Sequence, residues 1–301
     1  MTWPAPALDE GALEALESRV VLALESGDAS PLEVLGYGEI SCVLALRFGG
    51  SAVACKRLPP FADERALGAY CSCFAAQVEA FERGGIPVLA TTLHRVESPG
   101  DRPVAYCVQP LVDRDALVPA IVAREPGART RELAESIIDI ALAYVSPARG
   151  LDAQLSNWAV VDGQLVYLDV TTPLLRDEAG RERLDIDVFL ASLPWALRVV
   201  VKRLVLKGIL DAYYSPRGVI RDLLANLVKE GLGDRLAGLV AAVGGRVDPP
   251  LSLDEVRRHY AEDARTWRLL QHLRRADRAW QRRVRRRQYP FLLPGPVERR
   301  V

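Results

Sequence analysis

Lysine is scarce in this sequence, although basic residues are not. Of 39 basic side chains, only four are lysine: Lys56, Lys202, Lys207 and Lys229. Such a bias reflects coding composition more than function. It makes a lysine inside an apolar strand informative, because a cation on a buried β-surface needs an anionic partner. Lys56, which follows Val53-Ala54-Cys55, is the lysine in that position.

The sequence also lacks a net charge and a long apolar run. The formal net charge of zero argues against a polyanion-binding protein, so no nucleic-acid partner is predicted. The first residues, MTWPAPALDEGALEAL, are acidic and amphipathic and contain no apolar core of a signal peptide. Residues 195–210 contain four basic side chains and are too short and too charged to span a bilayer. We therefore predict a cytoplasmic protein without a membrane partner.

No cysteine pattern indicates a disulfide framework or a zinc site. The five cysteines lie in about the first third of the chain and stand in apolar contexts. An odd number of clustered cysteines is typical of reduced thiols in a cytoplasmic core. Free thiols are therefore predicted at Cys42, Cys55, Cys71, Cys73 and Cys107.

The first third of the chain has the pattern of a β-sheet. A hydrophobic content of 50% in 301 residues is enough for one large or two smaller domains. Apolar spacing predicts a helix over 8–27 and another over 63–83. Strands are predicted at 32–35, 41–48, 51–57, 86–96 and 103–111. These elements form a five-stranded antiparallel sheet with one helix inserted after the third strand.

After Leu111 the pattern changes from strands to helices. Helical segments are predicted at 114–124, 129–145, 184–213, 215–231, 233–243 and 252–288. This shift indicates a boundary near 108–114, between an N-lobe (1–111) and a mainly helical C-lobe (112–301). The predicted fold class is therefore α+β with two lobes.

One hairpin, within residues 150–173, interrupts the helices. Residues 158–161 and 164–168 read as two strands around the strong turn Asp162-Gly163. The hairpin holds Asp152 and Asn157 at its entry and Asp169 at its exit. Such a trio suits a divalent cation and a phosphate, with Asn157 and Asp169 as hard oxygen ligands and Asp152 facing an acceptor hydroxyl. The alternative is a surface hairpin with ordinary polar ends.

Two glycines precede the strand that carries Lys56. Gly36 and Gly38 would let a backbone turn lie close to a ligand and offer N–H groups to phosphate oxygens. The alternative is a tight hairpin. The two strands and the lysine that follow favour the phosphate-binding interpretation.

These motifs, taken in order over residues 30–190, resemble the protein-kinase-like fold, and within it the aminoglycoside and choline phosphotransferases. Gly36 to Val43 resembles G-x-G-x-x-G-x-V with Ser41 in place of the third glycine. Val53 to Lys56 looks like the third-strand lysine motif, and Asp152 to Asn157 keeps the D-x-x-x-x-N spacing. Asp169 falls at the metal-binding aspartate of the D-F-G type motif. Asp187, in Asp187-Val188-Phe189-Leu190-Ala191, looks like the later D-L-A motif whose aspartate braces the catalytic loop.

The resemblance implies ATP and Mg²⁺ as cofactors and a role for each residue. The glycine loop with Gly36, Gly38 and Ser41 would cover the phosphates, and Lys56 would hold the α- and β-phosphates. Asp152 would orient the acceptor hydroxyl and take its proton, while Asn157 and Asp169 would hold magnesium. The adenine would meet the hinge between the lobes, at Val108 to Leu111.

The sequence departs from the family pattern at four points. The histidine two residues before the catalytic aspartate is Gly150, and Asp169 is followed by Val170-Thr171 without the motif's glycine. No A-P-E segment follows, which argues for a small-molecule hydroxyl over a peptide platform. The helix glutamate that pairs with the lysine is also missing. Helical phase places Gln77 on the inner face, where it would face Lys56 at the nucleotide site as a weaker, uncharged partner, and Glu79 lies about 200° away.

An arginine-rich segment closes the chain at 272–287. It contains eight arginines at 274, 275, 278, 282, 283, 285, 286 and 287. It is interpreted as a solvated helix face paired with acids such as Glu262 and Asp263, and the alternative is a dock for an acidic partner, such as a phosphorylated molecule or an acidic leader peptide. Trp267 and Trp280 in the same helix are predicted to be core contacts.

The predicted function is an ATP- and Mg²⁺-dependent phosphotransferase acting on a hydroxyl of a small molecule, an antibiotic or a metabolite. Two alternatives stay open. A pseudokinase, which binds nucleotide or acts as a scaffold without turnover, is supported by Gly150, Val170 and Gln77. A kinase for serine or threonine in a peptide is favoured by the basic C-terminal helix.

Overall fold

The computed structural model describes residues 6–37, 41–98, 102–125, 127–190, 206–286 and 289–293. The N-terminal part consists of α1 (Glu10–Ser26), β1 (Val34–Tyr37), β2 (Cys42–Phe48), β3 (Ser51–Arg57), α2 (Glu64–Arg83), β4 (Thr92–Val96) and β5 (Val104–Pro110). The strands form one antiparallel sheet in the order β1-β2-β3-β5-β4. The predicted five-stranded sheet with one inserted helix is confirmed.

The fourth strand is shorter than the predicted strand 86–96. It begins at Thr92, because the preceding residues pair with the hairpin instead of the sheet. The N–H of Leu89 donates to the carbonyl of Tyr167, and the N–H of Tyr167 donates to the carbonyl of Pro87. This short parallel contact joins the N-terminal part to the hairpin.

The two faces of the sheet are covered by different helices. Side chains alternate along β3, so Cys55 and Arg57 point to one face and Lys56 to the other. Cys55 packs in a cluster with apolar residues of α1. The opposite face packs against α2 and the C-terminal part through residues such as Cys107. The sheet therefore places Lys56 on the face directed toward the C-terminal part.

A buried ion pair ties α1 to the sheet. Glu17 is fully buried, and its two oxygens accept hydrogen bonds of 2.8 and 2.7 Å from the guanidinium of Arg57. The hydroxyls of Tyr106 and Ser98 also donate to this carboxylate. Burial raises the pKa of Glu17, but these four hydrogen bonds and the charge of Arg57 outweigh it and lower the pKa. Four donors of the protein thereby satisfy the buried carboxylate of Glu17.

The C-terminal part is mainly helical, as predicted. It contains α3 (Val118–Arg124), α4 (Ala128–Tyr144), β6 (Trp158–Val161), β7 (Gln164–Tyr167), α5 (Asp187–Leu190), α6 (Leu206–Tyr213), α7 (Pro216–Lys229), α8 (Leu236–Val243) and α9 (Leu253–Arg283). The most buried of these helices is α7, which packs against α4, α8 and α9. Among the described residues, none of the helices has the length and apolarity needed to cross a membrane.

The last helix and the segment after it return to the N-terminal part. Arg282, near the end of α9, donates to the carbonyl of Leu24 in α1. Tyr289 and Phe291 are buried, and the carbonyl of Pro290 accepts a hydrogen bond of 3.4 Å from Arg57. Residues 289–293 thus lie beside α1, although they are distant from the sheet in sequence.

Two sequence predictions about side-chain environment have different outcomes. All five cysteines are free, and four of them are buried, in line with the prediction. The prediction that Trp280 is a core contact is wrong, because 54% of the residue is exposed. It lies on the side of α9 that faces away from α7.

Candidate active site

Lys56 and Asp169 meet between the sheet and the β6–β7 hairpin. The Nζ of Lys56 donates a hydrogen bond of 2.8 Å to Oδ1 of Asp169. Their side chains keep 19% and 26% of their exposure, so water screens the pair only weakly. Asp169, which lies 113 residues after Lys56 in the chain, supplies the negative charge that this lysine needs.

Thr171 adds two more hydrogen bonds to the same carboxylate. Its hydroxyl and its backbone N–H donate to Oδ1 of Asp169 at 2.8 and 3.2 Å. Burial raises the pKa of Asp169, but the charge and hydrogen bond of Lys56, together with these bonds, hold the pKa below its ordinary value. Thr171 occupies the glycine position of the D-F-G type motif, so this departure from the family pattern supports an ionised Asp169.

Backbone hydrogen bonds bring Asn157 and Asp152 close to Asp169. A 3₁₀ turn, Leu155–Asn157, leads into β6, and the N–H of Leu168 donates to the carbonyl of Asn157 at 2.8 Å. The side-chain amide of Asn157 then donates to the backbone carbonyl of Asp152 at 3.1 Å. The hairpin predicted from Asp162-Gly163 thus joins the two ends of the predicted trio.

The carboxyl group of Asp152 has a higher pKa than an ordinary aspartate. Burial raises its pKa to about 7, and the negative charges of Asp222 and Asp169 add to the rise. A hydrogen bond of 3.3 Å from the backbone N–H of Gln154 offsets part of this effect. A carboxylate that titrates near neutral pH is suited to accept a proton from a substrate hydroxyl.

Polar residues of α7 support the 150–157 loop, and sequence reasoning missed them. Oδ1 of Asn226 accepts the N–H of Leu155 at 2.9 Å. The amide of Gln154 donates to Asp222 at 3.2 Å and accepts from Lys229 at 2.9 Å. These three α7 residues share one helical face, at i, i+4 and i+7. In the sequence alone, such a face is typical of solvent exposure.

His259 of α9 extends this network away from the loop. Its Nε2 lies 3.2 Å from Oδ1 of Asp222, and both side chains are about three-quarters buried. Asp222 thereby stands between the 150–157 loop and α9. By contrast, Asp187, which resembles the family's bracing aspartate, begins α5 and is exposed.

Position 150, where the kinase-like pattern has a histidine, has no room for a side chain beyond that of glycine. A Cβ at this position would lie 2.9 Å from the Cβ of Leu174 and 3.2 Å from the carbonyl oxygen of Tyr213. The N–H of Gly150 donates to the carbonyl of Leu174 at 2.8 Å, and the N–H of Leu151 donates to that of Tyr213 at 3.1 Å. Close backbone contacts, which glycine permits, therefore hold the start of the loop.

The expected contact between Gln77 and Lys56 is replaced by others. Gln77 is buried on the inner face of α2, as its helical phase predicts. However, its amide donates to the hydroxyl of Tyr144 at 3.1 Å, and its carbonyl accepts the N–H of Leu174 at 2.8 Å. The inward orientation of Gln77 was predicted correctly from the helical phase. Its hydrogen-bond partners depend on how α2 packs against α4 and the loop after the hairpin.

The side chain of Val108 points away from Lys56, and the predicted contact of this residue with adenine stays a prediction. Cys107 pairs with Lys56 across β5 and β3, so the alternation of β5 directs Val108 to the opposite face. The Val108 side chain is fully buried in the cluster that contains α1. Leu111 follows the end of β5 and is partly exposed, so its predicted contact with adenine stays a prediction.

Gln109, on the Lys56 face of β5, was not predicted. Its amide donates to the carbonyl of Leu168 at 2.8 Å and to the hydroxyl of Thr91 at 2.9 Å. It therefore links the end of the sheet to the residue that precedes Asp169. A polar residue at the end of an apolar strand was the available signal.

The structure describes only some residues of the predicted glycine loop. Gly36 lies in β1, and a Cβ added there would have no atom of the described residues within 4 Å. Ser41 borders a small cavity with Val20 and Phe291, on the α1 side of the sheet. Gly38 lies outside the described residues.

Asn157 and Asp169 offer oxygen atoms that suit a divalent cation. The Nδ2 of Asn157 donates to the backbone carbonyl of Asp152, so the side-chain Oδ1 of Asn157 is the atom that could bind a metal. The hydrogen bonds to Asp169 go to its Oδ1, which leaves Oδ2 as the second metal ligand. Within the described ranges, no group of three His, Cys, Asp or Glu residues could hold a metal by itself. The donor set fits Mg²⁺, which binds through one or two protein oxygens and completes its shell with phosphate and water.

The sheet topology, the lysine on β3 and the hairpin opposite it are the features that the kinase-like resemblance predicts. The chain belongs to the DUF6206 family, a family of unknown function whose model matches residues 15–278. It is also similar to the solved structure of WaaP in complex with acyl carrier protein, with 15% identity, a TM-score of 0.31, and coverage of 72% of this chain and 92% of that chain. No curated protein matches. The function therefore has to be argued from the site.

Proposed function

We propose that this protein is an ATP- and Mg²⁺-dependent phosphotransferase that adds phosphate to a hydroxyl of a small molecule. The observation that carries the proposal is the meeting of Lys56, Asp152, Asn157 and Asp169, which come from β3, the 150–157 loop and the hairpin. A cation, two hard oxygen ligands and a carboxylate of raised pKa are the groups that phosphoryl transfer needs.

Each of these residues has a role that its contacts support. Lys56 would bind the α- and β-phosphates as a point charge, exchanging part of its contact with Asp169 for phosphate oxygens. Asn157 and Asp169 would hold Mg²⁺, which when bound neutralises the charge of the phosphates. Gln109 and Thr171 keep the backbone and carboxylate at Asp169 in place.

Asp152 would act on the acceptor hydroxyl. Its ionised carboxylate accepts a hydrogen bond from the hydroxyl and takes the proton as the acceptor oxygen forms a bond to the γ-phosphorus. The bond between that phosphorus and the β,γ-bridging oxygen breaks, and ADP leaves with the electron pair. A pKa of about 7 lets Asp152 both accept this proton and release it to solvent near neutral pH.

The segment after Asp169 favours a small acceptor over a peptide. Arg176 forms ion pairs with Glu182 at 2.7 Å and with Asp211 at 2.6 Å. Its guanidinium also lies over the ring of Tyr214, 3.7 Å from the centroid. These contacts fold the segment back at Glu182 and attach it to α6 and Tyr214, whereas a peptide kinase needs an extended platform at this point of the chain.

A pseudokinase is the second candidate, and the contacts of Gln77 favour it. With the amide of Gln77 bonded to Tyr144 and Leu174, α2 contributes no described partner to Lys56, and the lysine is bonded directly to Asp169. A nucleotide-binding protein without turnover would retain the same residues. Binding and turnover therefore have to be measured separately.

The first test is thermal unfolding with ATP, in the presence and absence of Mg²⁺. The wild type should show a Mg²⁺-dependent rise in Tm of several degrees, since a ligand at about 100 times its Kd adds about 2.7 kcal/mol of stability. Asp169→Asn should lose this rise. Asp162→Asn is the matched control, because Asp162 is an exposed carboxylate in the turn of the same hairpin.

Turnover is then measured as release of ADP, with water or a panel of small hydroxyl compounds as acceptor. Asp152→Asn should keep the Mg²⁺-dependent rise in Tm and lose ADP release by at least about a hundredfold. A nucleotide-dependent rise with no ADP release from wild type would support the pseudokinase. The absence of any rise in wild type would contradict the phosphotransferase and would leave only a pseudokinase that acts as a scaffold. An equal loss in Asp162→Asn would contradict the assignment of Mg²⁺ to Asp169.

A further inference from the structure

The outer side of α9 carries a continuous stripe of exposed residues. The helix packs inward through Val256, Tyr260 and Ala264. On the opposite side, residues at spacings of three and four are exposed: Arg265, Leu269, His272, Ala276, Trp280 and Arg283. We call the exposed residues between 265 and 286 the α9 outer face.

Large apolar groups stand exposed in this face. Leu269 is 62% exposed, Trp280 is 54% exposed, and Val284, one turn further on, is 56% exposed. Single exposed apolar residues are ordinary on protein surfaces. Leu269 and Trp280 lie on the same side of α9, and Val284 directly follows the last residue of the helix. Exposed apolar groups arranged in this way, including a tryptophan, are typical of a surface that contacts something else.

The same face is strongly basic. Five exposed arginines belong to it: Arg265, Arg268, Arg283, Arg285 and Arg286. Within the described part of the chain, none of these five forms an ion pair, and Arg268 donates to a carbonyl of its own helix. Asp277 is the one acidic residue between 265 and 286 in the sequence, and it is partly buried and accepts from Gln281. The positive charge is thus left for a partner outside the protein.

The shape of the surface favours one kind of partner. A helical peptide binds in a groove formed between two elements, whereas the α9 outer face is the convex side of a single helix. Arginines that flank tryptophan and leucine on a helix suit the boundary between lipid headgroups and acyl chains, where arginine meets phosphate and tryptophan is enriched. We propose that the α9 outer face binds the surface of an anionic lipid membrane, with α9 lying parallel to it.

This inference is independent of the proposed function. It also departs from the prediction of no membrane partner, which concerned segments that could span a bilayer and did not consider a helix lying on its surface. The charge and apolar groups are on the protein exterior already, so binding needs no rearrangement of the fold.

The test is co-sedimentation of the full chain with vesicles of phosphatidylcholine alone and of phosphatidylcholine with added phosphatidylglycerol. Wild type should bind the anionic vesicles and not the neutral ones. The triple variant Arg283→Ala/Arg285→Ala/Arg286→Ala should bind on the order of a hundredfold more weakly, since each arginine at such a surface contributes about 1 kcal/mol. Trp280→Ala should weaken binding by roughly tenfold.

Matched variants separate this face from general surface charge. Arg19→Ala/Arg65→Ala/Arg114→Ala removes the same charge from exposed sites elsewhere, and Leu22→Ala removes an equally exposed apolar side chain from α1. Both should bind anionic vesicles as wild type does. Equal losses in the two triple variants, no effect of Trp280→Ala, or no binding by wild type would overturn the proposal. So would binding of a soluble acidic peptide, with the same dependence on the arginines, in the absence of vesicle binding.

Discussion

At the scale of the residue, the raised pKa of Asp152 makes the stability of the folded protein depend on pH. Its pKa is about 7 in the folded protein because of burial, Asp222 and Asp169. In the unfolded chain the carboxyl ionises near pH 4. Between these values the folded protein binds a proton that the unfolded chain has released, so stability falls as pH rises through this window, and the cost is complete above about pH 7.

We therefore expect Asp152→Asn to be more stable than wild type at pH 8, by on the order of 2 kcal/mol, with the gain disappearing near pH 4. Urea unfolding at both pH values measures it. Asp222→Asn, which removes one like charge, should give a smaller gain of the same sign, and the exposed Asp162→Asn should give none. Equal stability of wild type and Asp152→Asn at pH 8 would mean that Asp152 is not desolvated.

The residues of the site differ in how well the sequence could find them. Asp152, Asn157 and Asp169 lie within one hairpin, so local spacing was enough to bring them together. Lys56 was singled out as a cation on a buried strand that needs an anionic partner, but Asp169 was not predicted to be that partner. Gly150 was read as a loss of scaffolding, whereas the close approach of Leu174 and Tyr213 gives it a structural role. That contact joins segments far apart in the chain, which no local pattern encodes.

At the scale of the element, α1 is attached to the sheet by the Glu17–Arg57 pair. The helix is amphipathic, with Leu13, Leu16 and Val20 buried beside Glu17. A glutamate on the apolar face of a helix needs a cation, and Arg57 supplies it from the α1 face of β3. The pair therefore fixes the helix in one position on an otherwise apolar surface.

Glu17→Ala should destabilise the protein by about 3 to 5 kcal/mol, because it leaves the buried guanidinium of Arg57 without a counter-charge. Chemical denaturation measures the loss. Glu14→Ala, an exposed glutamate in the same helix, should change stability by less than about 0.5 kcal/mol. Adding Arg57→Met to a Glu17→Met variant should recover part of the stability. A loss no greater than that of Glu14→Ala would show that the pair is not needed to hold α1.

Element bounds followed from the sequence more closely than the partners of those elements. The predicted helix 63–83 and hairpin strands differ from the observed ones by one residue. The inward orientation of Gln77 was also predictable, since it depends on helical phase alone. Its bonds to Tyr144 and Leu174 were not, because they depend on the position of α2 relative to α4. The orientation of Val108 in β5 also could not be predicted from the sequence, because the register with β3 decides which residues of β5 lie on the same face as Lys56.

At the scale of the whole molecule, α9 and residues 289–293 connect the two parts of the chain. Near its start, α9 is bound to α7 by the Arg217–Glu255 ion pair at 2.7 Å. At its end, Arg282 reaches the carbonyl of Leu24, and Phe291 lies against α1. This connection limits how the sheet can move relative to the helical part.

Phe291→Ala should destabilise the protein by about 2 to 4 kcal/mol, since a buried aromatic side chain is removed from the contact with α1. Leu269→Ala, an exposed apolar residue of α9, is the control and should have little effect on stability. Hydrogen exchange should increase in α1 and not in α7, because the lost contact is on the α1 side. Unchanged protection of α1 would mean that the segment does not hold this helix.

The sequence by itself determined the order of helices and strands, the hairpin and the short-range spacing of Asp152, Asn157 and Asp169, because these depend on local periodicity and turn chemistry. Tertiary structure decided which face of the sheet each strand residue occupies, which residues support the 150–157 loop, and which face of α9 remains exposed. Asp222, Asn226 and His259 illustrate the reason. Their contacts join residues that are tens of positions apart, and the energies of such contacts depend on how the elements pack, which is not written in any one segment of the chain.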